Sequence, residues 1–408
     1  MDEAADETVD VVIIGSGPGG LVAGAYLAAS GRRVLVLEQH DLAGGNCTVF
    51  RHRGYEFDVG LHYVGDCGNG GVIPAILSGL GLAGRVEFRP LDADGFDTLC
   101  FPGLELRVPA DWELYRQRLV SAFPADEDGI TECLRVLEAV AEDMRSSQLP
   151  GVDTPTLHEW GLRPLAELFE SCALSPRAAV ALDHWCGLYG SGPQDTAVSM
   201  HAMIVDHYMR GAYYPRGGGQ MIPARLVEVI EAHGGEVRTL TTVERIEVTD
   251  GVATGVRLDG GHIVRAPVVV SNADYKRTVG ELLPPGTVSA QTAAWADEAV
   301  MTLGLTCVYM VVDRDLVGGA PNTNYFVFPS WDLPDALDTR EAGATPAGQS
   351  AFASLSLASR KEPDTGALGP PGCTNRQSMT LAPRGYDWLG VSEGPAHGAP
   401  DRRNPRYR

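Results

Sequence analysis

Basic side chains are in short supply: 32 Lys and Arg stand against 53 Asp and Glu, a formal charge of −21. That is the wrong sign for neutralising phosphates along a nucleic acid, and nucleic acid is excluded as a partner. The same sign disfavours broad adsorption to anionic lipid, leaving a local apolar or basic face as the route to any peripheral membrane contact. No uncharged apolar run is long enough to span a bilayer. The N-terminus, MDEAADETVD, lacks the positive segment and apolar core of a secretory signal. The eight cysteines, at 47, 67, 100, 133, 172, 186, 307 and 373, contain no CxxC pair, which excludes a zinc ribbon or redox dithiol. Free thiols in a reducing cytoplasm are expected. Neither HExxH nor GxSxG occurs, which argues against hydrolase chemistry.

What remains is a chain of 408 residues, long enough for two or three domains. Its 49 glycines and 27 prolines stay below the level of a low-complexity protein. The run TVDVVIIG, the turn SGPGG, the Ala-rich LVAGAYLAASG and the run RRVLVLE read as strand, tight turn, glycine-ended helix and second strand. This βαβ unit opens a parallel sheet. Residues 72–210 read as mostly helical, with Pro-bearing loops. From Gly217 the α/β pattern returns, and residues 243–274 alternate short β runs with TDG and DGG turns. Residues 340–375 are rich in Gly, Ala and Pro.

The turn carries GxGxxG at Gly15, Gly17 and Gly20, with Ser16 and Gly19 between them. The first glycine permits the turn, the second admits a pyrophosphate to the backbone, and the third packs helix on strand with help from Gly24. The helix N-terminus offers free N–H groups to phosphate. Glu38 ends the next strand, where a carboxylate accepts hydrogen bonds from an adenosine ribose, with Gln39 beside it. No arginine follows Glu38, which argues against a 2′-phosphate and hence NADP. Gly44, Gly45 and Asn46 then bring side-chain-free backbone back towards the pyrophosphate and ribityl region of a longer cofactor. An NAD site needs no such second approach, so FAD is favoured.

These stretches, with GYEFDVGLHYVG, resemble the N-terminal flavin-binding region of the phytoene-desaturase-like flavoproteins. YGSGPQDTAVSMHAMIVDHYMRGAYYPRGGGQ is similar to a segment of the branch containing carotenoid isomerase and retinol saturase, and VVVSNAD to the family's returning strand. The resemblance covers residues 8–390. It implies FAD, with the ribose on Glu38, the diphosphate on Gly15 to Gly20, and Gly44, Gly45 and Asn46 facing the flavin. It places Asp58 to His62, Gly60 included, beside the isoalloxazine, and gives Val237 the adenine through its backbone. The family's chains continue beyond the position of Arg408 into a further flavin segment, so a fragment is expected.

The fold class expected is α/β: a discontinuous Rossmann-type FAD-binding domain, 1–71 and 217–275, with a mixed α+β substrate domain, 72–216 and 276–408. The resemblance implies an apolar polyene or isoprenoid substrate that is desaturated or saturated. The alternatives are a reduced-flavin-dependent cis-trans isomerase and a non-catalytic lipid-binding relative, as the Rab escort proteins are for this broad fold. Met200, Met203 and Met209 are candidate walls for an apolar tunnel, or ordinary helix core. His62 is the one catalytic candidate, through its place beside the flavin. His184, His201 and His207 read as structural, and no metal spacing is present.

Overall fold

The computed structural model describes residues 7–147, 149, 151–302, 304–315, 318–331, 352–364, 368, 370 and 372–382. The two early apolar runs form β1 (Val11–Ile14) and β2 (Val34–Leu37), buried at every position. Both faces of their sheet are covered, as parallel strands require. Val11, Ile13, Val34 and Val36 pack with α1 (Pro18–Ala29) and α2 (Met221–Ala232). Val12, Ile14, Leu35 and Leu37 pack with an antiparallel layer built from Val243–Thr249, Val252–Leu258 and Ile263–Arg265. Each such fully buried aliphatic side chain contributes about 1.5–3 kcal/mol. β3 (Glu236–Arg238) and β4 (Val268–Ser271) complete a parallel sheet in the order β3-β2-β1-β4, with Val237 opposite Val36 and Val269 opposite Val12. The crossover helix α1 begins on Pro18 and ends before Gly31, whose φ of +87° suits glycine. The α/β class read from the sequence is the observed one.

The second layer system differs in detail from the expectation. Residues 72–216 do carry helices, among them Trp112–Ala122, Glu127–Ser146 and Val198–Met209. They also carry a hairpin, Asp97–Phe101 and Leu104–Val108, turned at Pro102-Gly103. This hairpin pairs in parallel with Asn324–Val327 and closes a six-stranded sheet with Ala353–Ser356, Thr374–Ala382 and Gly304–Val312. Sheet and helices enclose a core around Trp185, Tyr115, Phe96 and Phe326. Leu77, Leu80, Leu82 and Val86 pack instead with α1 and α2. Among the described residues no helix is long and apolar enough to cross a membrane. Much of the Gly-, Ala- and Pro-rich stretch and the chain end at Arg408 lie outside the described residues.

Candidate functional site

The glycine loop is shaped so that side chains cannot enter it. Gly15 has φ +92°, and a Cβ there would stand 3.3 Å from the Asn272 carbonyl oxygen. A Cβ on Gly20 would lie 2.3 Å from the Gly15 oxygen, inside any tolerable contact. Asn272 follows β4, donates its N–H to Ile14 O at 2.8 Å, and lays its amide within 2.9 Å of where Cβ atoms of Gly17 and Gly19 would be. Gly17 caps α1 without a side-chain hydrogen bond, and the first turn holds no acid. The free N–H groups and positive dipole end are thus left for an anion. Gly45, φ +56°, comes back so close that its Cβ would be 3.0 Å from Gly17 Cα. Side-chain-free backbone therefore meets side-chain-free backbone.

Glu38 is buried and already engaged. Its Oε2 accepts the Ser16 N–H at 2.9 Å and the Ser16 hydroxyl at 2.6 Å, while Oε1 accepts the His40 N–H at 2.9 Å. Ser16 Oγ in turn accepts the Gly44 N–H at 3.2 Å. One carboxylate thus ties the glycine loop, the end of β2 and the second glycine pair together. A carboxylate has about four acceptor positions, so one remains for a ligand hydroxyl. Glu38 borders a cavity of about 290 Å³ together with Gly15, Gly17, Gln39, Gly45 and Arg277. Arg277 was missed in the sequence. Its Nη1 donates to Gln39 Oε1 at 3.2 Å, putting a cation in the cavity wall. Ser16, Gly19, Gly20 and Gly44 are not among its lining residues; Ser16 joins it through its hydrogen bond to Glu38, and Gly44 through its own to Ser16. Val237 sits in the edge strand β3, outside the lining, where Thr241 and Val243 stand instead.

A second cavity, about 630 Å³, begins one residue further on. Asn46 lines it, as do Gly60 and His62, and a Cβ on Gly60 would come 3.0 Å from Asn46 O. Aromatic and aliphatic groups such as Tyr63, Tyr189, Leu305, Tyr309, Phe326 and Met379 form most of the wall, and the described lining residues include no Asp, Glu, Lys or Arg. Asp58 does not face this space: it is buried, accepting the Gly219 N–H at 2.9 Å and the Tyr214 hydroxyl. Burial lowers the His62 imidazole to about 3, helped by the charge of Lys361. At neutral pH His62 is therefore an uncharged wall residue.

Beneath the cavity floor lies a group that sequence reasoning did not find. Lys361, 2% exposed, donates to His62 O at 2.6 Å, Asn324 Oδ1 at 2.6 Å and Ser356 Oγ at 2.7 Å. Asn324 Nδ2 donates to Asp97 Oδ1 at 2.9 Å, and the Tyr63 hydroxyl to Asp97 Oδ2 at 3.0 Å. Burial pushes the Asp97 carboxyl up to about 7 and the Lys361 amine down to about 7.

The other histidines are structural in their contacts. His207 Nε2 accepts the Gly65 N–H at 2.8 Å, and His184 Nδ1 sits 2.9 Å from Ala181 O. His201 shares the Tyr189 hydroxyl with Asp183, both at 2.9 Å. Tyr189→Phe is expected to destabilise the protein by about 1–3 kcal/mol, because Asp183 and His201 both lose a buried partner; urea denaturation measures it. The methionine tunnel is not observed. Met200 and Met203 are exposed, Met209 belongs to the core, and none borders the cavity. Helix Val198–Met209 turns its first two methionines outwards because Val198, Ala202 and Val205 occupy its buried stripe. No metal-binding cluster of His, Cys, Asp and Glu exists among the described residues.

Comparison with known proteins follows the same lines. The profile of the family described as flavin containing amine oxidoreductase matches residues 18–342. The chain is 32% identical to the all-trans-retinol 13,14-reductase of Macaca fascicularis, over 94% of this chain and 67% of that protein. It is 34% identical to the human protein of that name, over 81% and 58%, and 28% identical to prolycopene isomerase 1 of an Oncidium hybrid cultivar, over 68% and 50%. The chain thus spans about half to two thirds of the length of these relatives. Among solved structures, a protein from Pyrococcus furiosus superposes with a TM-score of 0.65 at 19% identity, covering 93% of this chain and 82% of its own.

Proposed function

The chain belongs to the flavin containing amine oxidoreductase family, and on that premise we propose that it is an FAD-dependent oxidoreductase acting on carbon–carbon bonds of an apolar polyene or isoprenoid. The observation that carries the reading is the pair of cavities lined by the successive residues Gly45 and Asn46. One is a glycine-walled space with a buried acid, and the next is a large one with no charged side chain among its described lining residues. The residues present fit FAD. The loop is packed so tightly on Asn272 and on itself that a Cβ at Gly15, Gly17 or Gly20 would distort it, the helix N-terminus has no side-chain cap, and Glu38 keeps an acceptor position. In this reading Gly15 to Gly20 hold the diphosphate, Glu38 the ribose, and Asn46, Gly60 and His62 border the flavin end. A bound flavin supplies the hydride or accepts it.

The chain's own residues do the rest. The described wall carries no charged side chain, and such a wall favours a substrate without charge, since burying an unpaired ion is costly. Tyr63, Tyr189 and Tyr309 orient an elongated apolar molecule by ring contact, and their hydroxyls are already turned to protein acceptors. The retinol reductases among the relatives favour saturation, and all-trans-retinol is the first probe. Purified protein is expected to carry flavin absorption through gel filtration and to release FAD on acid denaturation. With reductant and all-trans-retinol it should yield a product heavier by two hydrogens. A product of unchanged mass would select isomerisation, for which the prolycopene isomerases speak. A colourless protein that takes up no FAD overturns the reading.

A further inference from the structure

We propose that Ser356 is the catalytic proton donor at the large cavity and that Lys361 is the positioning residue that recharges it. The inference rests on the function proposed above. Saturating a carbon–carbon double bond requires a hydride on one carbon and a proton on the other. The hydride is supplied by reduced flavin, so the chain must supply the proton.

The hydrogen bonds at Lys361 leave one exit for it. The ammonium has three N–H groups, and all three are used: on the His62 carbonyl, on Asn324 Oδ1 and on Ser356 Oγ. A carbonyl oxygen only accepts. The Asn324 oxygen also only accepts, and its orientation is fixed because its Nδ2 donates to Asp97. Ser356 alone both accepts from the lysine and carries a proton of its own. Its hydroxyl proton reaches no other acceptor among the described residues, and Ser356 lines the cavity.

The step balances as follows. The Ser356 O–H bond breaks as the substrate C–H bond forms, and a proton from Lys361 Nζ restores the hydroxyl. Lys361 is left as a neutral amine, which solvent reprotonates between turnovers. The site suits that cycle, because burial brings the amine to about 7, near the pH at which an acid both holds and releases its proton. Facing Lys361 are Asp58 and Asp97 as charges, His62, and the rings of Tyr63 and Tyr214 at 5.6 and 5.9 Å. The two carboxylates keep the ammonium from being lost altogether, and the tyrosine faces stabilise it as a cation.

The test uses the flavin-loaded protein with all-trans-retinol and reductant in D₂O, together with a measurement that needs no turnover. Ser356→Ala is expected to lower kcat about 100-fold with KM little changed, and Ser356→Thr to restore most of it. The wild-type rate should fall as pH rises through about 7, and Lys361→Met should remove that limb. Independently, NMR of ¹⁵N-lysine-labelled protein should show one Nζ titrating near 7, lost in Lys361→Met. Its hydrogens should exchange with solvent about tenfold more slowly in Ser356→Ala than in wild type. A Ser356→Ala enzyme within threefold of wild type, or unchanged Nζ exchange, overturns the relay. A wild-type protein that leaves retinol untouched counts against the substrate reading, while the exchange measurement still decides the relay.

Discussion

Glu38→Ala is expected to abolish flavin retention and to cost the fold about 3 kcal/mol or more. Three donors would lose their acceptor at once: the Ser16 N–H, the Ser16 hydroxyl and the His40 N–H. A buried donor left unsatisfied costs about 1–3 kcal/mol. Ser16 also accepts from Gly44, so the glycine loop and the returning glycine pair would loosen together. A loss of about 3 kcal/mol in the bound geometry alone lowers affinity on the order of 100-fold. Glu38→Gln is not a gentle replacement. Its amide nitrogen would face either the Ser16 or the His40 donor, and donor would meet donor. Fluorescence titration with FAD and thermal denaturation of the apo form measure the two effects separately. Wild-type affinity and stability in Glu38→Gln would refute the account.

Lys361→Met is expected to be the other severe substitution, costing about 3–5 kcal/mol, the range for removing one partner of a buried ionic group. Three acceptors lose their hydrogen bonds, and Asp58 and Asp97 lose the cation that partly offsets their burial. The penalty should grow with pH. Asp97 has a folded-state pKa raised to about 7. Its folded form therefore holds more protons than the unfolded chain, and stability falls as pH rises through that window. Without Lys361 the Asp97 pKa climbs further and the fall extends to higher pH. Lys361 itself is depressed to about 7, so in wild type it favours the folded state as pH rises above that value. The variant loses this contribution as well. Denaturation curves at pH 5.5 and pH 8 should show the larger deficit at pH 8, and Lys361→Met/Asp97→Asn should recover part of it.

The first half of the site was legible in the sequence because its information is local. Strand, glycine turn, helix and strand-end acid fall within a few dozen residues, and each obeys a steric or electrostatic rule that composition alone expresses. Even there the reading was partial. Ser16 occupies a variable position of the motif, and nothing in its neighbours announces that it binds Glu38. Arg277 follows Asp274 in what reads as an exposed helical turn, yet it reaches back to Gln39. The hairpin at 97–108 carried its own signals, a Pro-Gly turn between apolar runs, but long helical patterns on its C-terminal side outweighed them. Lys361 was illegible for a physical reason. In ASRKEPD a lysine among Arg, Glu and Asp reads as a solvated turn, and only the return of residues 352–364 against residues 62 and 324 buries it. Burial is a property of the assembled chain.

The register between β1 and β4 also governs when the protein can be made whole. Val11–Ile14 is synthesised early, but its partner Val268–Ser271, and Asn272 behind the glycine loop, emerge long afterwards. At about 5–20 residues per second the interval is on the order of 10–50 s. During that time VVII is an apolar strand with one open edge, a template for pairing with other nascent chains. Cofactor uptake is accordingly a late event of biosynthesis. It selects chains that have closed the long span between β1 and β4, and flavin shortage is expected to show first as aggregation of newly made protein.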